Sequence, residues 1–164
     1  MRPVPDVPGP GQESVWDYPR PPRVEEVAVT ITVELGGQVI ASTQRAWRVL
    51  ETSHPPTYYL PRESFGEGVL VPTSGSSWCE WKGQASYFDL ESPLITAERA
   101  AWSYPRPTAG FEEIANAVAV MAAAVDRCIV NGETVRPQPG GFYGGWITST
   151  VAGPFKGVPG SMGW

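Results

Sequence analysis

The chain holds two lysines, Lys82 and Lys156, against ten arginines, and both sit in one local pattern. Each follows an aromatic residue and precedes a glycine: Trp81-Lys82-Gly83 and Phe155-Lys156-Gly157. An ammonium is a compact charge with three rotatable donors, whereas a guanidinium is a planar fork. Glycine next to the lysine permits a bulge that can turn the ammonium from solvent toward a pocket. Glu51, Tyr59, Arg62, Trp81, Lys82, Trp102 and Tyr104 all fall on expected strands or strand ends. Together they supply aromatic walls and a few polar groups, the make-up of a small-molecule site. The ligand such a set suits is a small anion. The same residues also fit an aromatic core with snorkelling cations at its rim.

Other chemistries are weighed on the same terms. Cys79, in WCEWKGQASYF, is a candidate nucleophile if a nearby cation lowers its thiol pKa. In a regular strand Cys79 and Lys82 point to opposite faces, which favours a structural cysteine. His54, the single histidine, lies in Ser-His-Pro-Pro three residues after Glu51, and reads as a loop histidine. One histidine and two distant cysteines do not make a four-ligand metal site, so no metal is expected. A phosphate loop with the GxxxxGK[ST] pattern is absent, as is GxGxxG after a strand, so no cofactor is expected. Gly153, Gly157, Gly160 and Gly163 around Lys156 offer either a phosphate-cradling loop or a tail that turns repeatedly. The two functional readings are therefore a binding module for a small anionic metabolite, and an enzyme. The enzyme would act through Cys79 or as a nucleotidyl or phosphoryl transferase.

The elements that must position these groups follow from composition and pattern. A length of 164 residues suits one domain with a substantial core. A net charge of −5 argues against a nucleic-acid partner. No apolar run is long enough for a transmembrane helix, and the proline-rich start does not fit a signal peptide. Two cysteines make no disulfide framework. The expected location is the cytoplasm. Residues 1–15 read as a disordered or extended proline-rich arm, 16–135 as one β-rich domain, and 136–164 as a glycine- and aromatic-rich tail packed on it. In that tail Phe142, Tyr143, Trp146, Phe155 and Trp164 read as anchors.

Alternation from Val27 to Leu35 predicts a half-buried strand. Gly36-Gly37 and Asn131-Gly132 predict tight hairpin turns. Strands are further expected at 38–42, 45–51, 58–60, 69–71, 77–88 and 100–104, with Pro61 opening a single helical turn. Phe111, Ile114, Ala115, Val118, Ala122 and Val125 recur at helical spacing and predict one helix over about 109–125, with Thr108 as its cap. The segment Trp16-Asp-Tyr18-Pro19-Arg20-Pro21 echoes Trp102-Ser-Tyr104-Pro105-Arg106-Pro107 at five of six positions. Both copies read as strand ends with a proline-stiffened exit.

The stretches WCEWKGQASYF, AAWSYPRP, LETSHPPTYYLPRE, VNGETV and GPFKGVPG together resemble the domain of unknown function 427 family, which also carries a nucleotidyltransferase-like label. The resemblance runs from Val27 to about Val135, and the flanks resemble longer members. Where the family usually has Cys-Pro-Trp-Lys-Gly, Glu80 replaces the proline. The resemblance implies a compact, mostly β (α+β) fold: a curved antiparallel sheet similar to a β-tent, with one helix laid across it. It implies no established activity.

Overall fold

The computed structural model describes residues 2–164. In chain order the strands are β1 (Glu13–Ser14), β2 (Arg23–Val27), β3 (Ile31–Leu35), β4 (Gln38–Thr43) and β5 (Ala46–Leu50). They continue with β6 (Thr57–Tyr59), β7 (Leu70–Cys79), β8 (Gly83–Glu91), β9 (Thr96–Ser103) and β10 (Val118–Val120). The last are β11 (Arg127–Val130), β12 (Glu133–Thr134), β13 (Arg136–Pro137), β14 (Trp146–Ile147) and β15 (Val151–Ala152).

The fold is mostly β, but the single curved sheet expected from sequence is instead three antiparallel sheets. Their orders are β10-β9-β8-β7, β12-β11-β3-β4 and β2-β5-β6. Two short ladders, β1 with β15 and β13 with β14, complete the pairing. The expected strand at Val27–Leu35 is two strands in different sheets. Between them the chain crosses over at Ala28–Thr30, where Thr30 and Asn131 exchange hydrogen bonds at 2.8 and 2.9 Å. Both hairpin turns form, with positive φ at Gly36 and Gly37 (61° and 75°) and at Asn131 and Gly132 (49° and 83°). The helical turn after Pro61 is a 3₁₀ turn, Arg62–Ser64.

The helix expected over 109–125 does not form. The segment is a 3₁₀ turn (Glu112–Ile114), strand β10 and a second 3₁₀ turn (Ala122–Ala124). Ala117, Val118, Ala119 and Val120 are all buried, so this stretch is covered on every side and periodicity could not distinguish helix from strand. Pairing decides it. Val118 to Val120 hydrogen-bond along β9, and Val118 also bridges Leu60. Asn116 turns the chain into β10 with φ 62°, a conformation asparagine tolerates and a helix does not.

Three apolar clusters hold the sheets together. The largest joins Ile31, Val33, Leu60, Leu90, Val118 and Trp146. A second gathers Val49, Tyr59, Tyr104, Phe111 and Ile114, with half-buried Cys79, Trp81, Tyr87 and Trp102 packed against it. The third unites the two ends of the chain: Val15, Trp16 and Tyr18 meet Leu50, Ile147 and Val151. The arm is extended there, with the Asp6 amide donating to the Gly153 carbonyl (2.8 Å) and β1 running parallel to β15. The two copies of the Trp-x-Tyr-Pro-Arg-Pro echo thus serve different places, Trp16 and Tyr18 in the third cluster and Trp102 and Tyr104 against the second.

Candidate functional site

WCEWKG is not the middle of a strand. It is the turn of the β7–β8 hairpin: Cys79 pairs with Gly83, and Glu80, Trp81 and Lys82 form a three-residue loop between them. Gly83 closes the loop with φ 103°, a value that favours glycine. Thr108 fixes the loop from outside, its hydroxyl donating to the Trp81 carbonyl and its amide to the Lys82 carbonyl (3.1 Å). The residue expected to cap a helix therefore pins the lysine-bearing turn. Strand alternation no longer sets the direction of Lys82. Its ammonium lies 5.5 Å from the Tyr104 ring centroid, a cation–π distance. Among the described residues Lys82 makes no ion pair.

This turn borders a cavity of about 440 Å³. Tyr59, Trp81, Tyr87, Trp102 and Tyr104 give it aromatic walls, and Glu51, Lys82, His54 and Lys156 reach it with charge or polarity. Exposed Trp78 and Phe142 also line it. Burial holds the phenols of Tyr59 and Tyr104 protonated, so these walls are neutral. The Tyr59 hydroxyl is buried without a hydrogen-bond partner among the described residues.

Of the residues picked from sequence, Glu51, Tyr59, Trp81, Lys82, Trp102 and Tyr104 meet at this cavity, and so does Cys79. Arg62 does not: it lies on the 3₁₀ turn after Pro61, its guanidinium 4.9 Å over the Phe88 ring. Lys156, His54, Gln138 and Tyr143 were not among the picked residues, yet all line the cavity. The tail around Lys156 turns repeatedly, at Val158–Ser161 and Ser161–Trp164. The Lys156 amide donates to the Ser53 carbonyl (2.9 Å) and the Gly157 amide to the Ser161 hydroxyl (2.8 Å), so both donors are already used. The tail is held at the cavity. Gly144 lies so close to the Trp102 indole that a Cβ there would collide with it. Lys156 Nζ donates to the main-chain oxygen of Trp164 (3.2 Å) and lies 6.0 Å from the Tyr143 ring centroid.

Glu51 and His54 are brought together by the turn after β5. The His54 amide donates to the Glu51 carbonyl (3.0 Å), with Ser53 at φ 72° inside the turn. Their side chains meet with His54 Nε2 3.6 Å from Glu51 Oε2. Buried Gln138 fixes the histidine tautomer. Its Oε1 accepts the Gly145 amide (3.1 Å) and its Nε2 donates to the Lys156 carbonyl (2.9 Å), which orients the amide group. The same Nε2 lies 3.0 Å from His54 Nδ1. A donor facing Nδ1 leaves the proton on Nε2, the nitrogen nearest Glu51.

Burial depresses the His54 pKa to about 4, and the Lys156, Arg20 and Lys82 charges add to the effect. Burial raises the Glu51 carboxyl, against the pull of Lys82, Arg20 and Lys156. A ¹⁵N NMR titration of the single histidine should therefore show a neutral Nε2–H ring down to about pH 4. The stability consequence has a definite sign. Between about pH 6.5 and 4 the unfolded histidine binds the proton and the folded one does not. His54 thus contributes stability that is complete above about pH 6.5 and is lost as pH falls toward 4, up to about 3 kcal/mol in all. Glu51 acts in the opposite direction, so the comparison is between the pH profiles of wild type and His54→Gln. Identical slopes through this window would contradict the assignment.

A larger cavity of about 560 Å³ lies by the arm, lined by Glu13, Arg48, Tyr58, Asn131 and Thr148 among others. Its cation is already neutralised: Arg48 bonds Glu13 at 2.6 Å and Glu25 at 2.8 Å. It offers no free positive charge to an anion, whereas the smaller cavity does. Among the described residues no cluster of three or more His, Cys, Asp or Glu side chains could hold a metal ion. No helix among them is long and apolar enough to cross a membrane.

Fold and site define a β-sheet protein with an aromatic, lysine-bearing cavity between its sheets and its tail. The model of a family described as a domain of unknown function, DUF427, matches residues 23–131, well over half of the chain, and the chain belongs to this family. No curated protein gives a significant match. The matched region carries Glu51, His54 and Lys82, while Gln138, Tyr143 and Lys156 lie beyond it.

Proposed function

We propose that this protein binds a small anionic metabolite, a phosphorylated or carboxylate compound, in the aromatic cavity, with Lys82 and Lys156 holding its charge. The observation that carries the reading is convergence. The chain has only two lysines, far apart in sequence, and both line one cavity of about 440 Å³. A structural role would not require both to arrive there. Among the described residues Lys82 has no carboxylate partner and Lys156 donates to a main-chain oxygen, so both ammonium groups have donors to offer. Tyr59, Trp81, Trp102 and Tyr104 supply flat apolar surface for the body of the ligand. Two carboxylates, Glu51 and Glu80, also line the cavity, and Arg20, 3.7 Å from Glu51, partly offsets the first.

The test is a thermal-shift screen of anionic, neutral and cationic metabolites, phosphorylated and carboxylate compounds among them, with calorimetry on each hit. Compounds that raise the melting temperature should be anionic. Hits confined to neutral or cationic compounds would sink the reading.

A further inference from the structure

The structure assigns to this cavity a proton transfer as well as binding: Glu51 removes a proton from the carbon beside a carbonyl of an anionic substrate, and His54 donates a hydrogen bond from Nε2 to the carbonyl oxygen. This inference rests on the anion site proposed above and adds a reaction to it.

The argument starts from geometry. His54 Nε2 and Glu51 Oε2 lie 3.6 Å apart beside the cavity, too far for a good hydrogen bond between them. The N–H is therefore available to a substrate oxygen, and the carboxylate to a neighbouring C–H. That is the spacing needed to serve two adjacent atoms of one carbonyl compound. Gln138 makes the assignment one-sided. It is itself oriented by Gly145 and Lys156, and it presents a donor to Nδ1, so His54 can offer only Nε2–H to the cavity. A neutral imidazole beside a carboxylate of raised pKa divides the roles cleanly between donor and base. A carboxylate that binds its proton more tightly is also the stronger base.

The step balances without a co-reactant. The C–H bond breaks and its proton goes to Glu51 Oε2. The electron pair forms the C=C bond of an enolate, and the charge moves to the carbonyl oxygen. That oxygen accepts the His54 N–H and is stabilised by the nearby ammonium groups. Return of the proton to the same carbon gives exchange with solvent. Return to a neighbouring hydroxyl-bearing carbon, with a proton moved between the oxygens, gives an isomerisation.

The experiment uses dihydroxyacetone phosphate, oxaloacetate and 2-oxoglutarate as probes, first for binding by calorimetry and then for deuterium uptake from D₂O by ¹H NMR. A probe that binds should exchange about a hundredfold or more faster with wild type than with Glu51→Gln. His54→Gln should slow exchange by a larger factor than it weakens binding, because a structural role would not separate rate from binding. A bound probe that exchanges equally with wild type and Glu51→Gln overturns the proton-transfer assignment and leaves the anion site standing. Should Glu51→Gln not fold, a bound probe exchanging with wild type no faster than in buffer overturns it equally. Failure of all three probes to bind overturns this inference, while the anion site stands or falls by the metabolite screen.

Discussion

Replacing Trp146 with alanine is expected to destabilise the protein by about 3–5 kcal/mol, as much as emptying any position in the core. Trp146 lies in the tail, beyond the region matched by the family model, yet it is 1% exposed and belongs to the largest apolar cluster. Its ring stacks on Tyr58 with centroids 5.2 Å apart, and its Nε1 donates to the Val120 carbonyl (3.0 Å). Truncation removes the stacking surface and also leaves a buried carbonyl without its donor. For a chain of this size the loss corresponds to a melting temperature lower by roughly 10 °C. Trp146→Phe should cost less, because much of the ring volume remains. Phe142→Ala is the control, since Phe142 is 81% exposed and is not the anchor its composition suggested. Equal, small losses for Trp146→Ala and Phe142→Ala would show that the tail is a dispensable appendage. Chemical denaturation of the three variants distinguishes the cases.

The second large effect falls on binding. Lys82→Met keeps the aliphatic stem and removes the charge, so folding should remain nearly intact. A charge-assisted hydrogen bond contributes roughly 1.5–3 kcal/mol, so affinity for an anionic ligand should fall about ten- to a hundredfold. Lys156→Met should produce a loss of the same order, although Lys156 lies 74 positions further along the chain. That equality is the specific content of the proposal: either lysine alone could be a rim cation, but two that matter equally must share a ligand. The double variant should lose more than either single one, with departures from additivity because the two act on one anion. If Lys156→Met binds like wild type, the tail lysine is only holding the Trp164 main chain.

Much of this site was legible in the sequence because it depends on residue scarcity. Two lysines in matching aromatic-Lys-Gly triplets both line the cavity, although only Lys82 was read as a ligand group. Lys156 looked instead like part of a glycine loop. Two of the amide donors such a loop would use, those of Lys156 and Gly157, are spent within the chain, on Ser53 and Ser161. His54 was passed over because Ser-His-Pro-Pro suggests an exposed loop. The three-residue spacing from Glu51 was visible and should have outweighed the loop reading, since a tight turn places its first and fourth residues side by side. Arg62 was picked as a polar group at the end of an expected strand, but the 3₁₀ turn after Pro61 swings it onto Phe88.

The fold was legible where turns fix it and obscure where burial hides periodicity. Gly36-Gly37 and Asn131-Gly132 need positive φ at both positions, so their hairpins could be placed to the residue. The turn at Glu80–Lys82 has only Gly83 to announce it, and the aromatic run around it reads as one strand. The stretch 109–125 misled for a different reason. Alanine and valine in an almost wholly buried segment satisfy a helical repeat and a two-sided strand alike, and only pairing with β9, distant in sequence, decides between them.

The central claim is that one anion bridges the two lysines inside the aromatic cavity. The most direct measurement is a crystal structure of the protein with the tightest hit from the metabolite screen. The account predicts an anionic group within about 2.7–3.0 Å of Lys82 Nζ and of Lys156 Nζ, its body against Trp102 and Tyr104. A ligand bound elsewhere, or one seated in this cavity with its charge touching neither lysine, would contradict it.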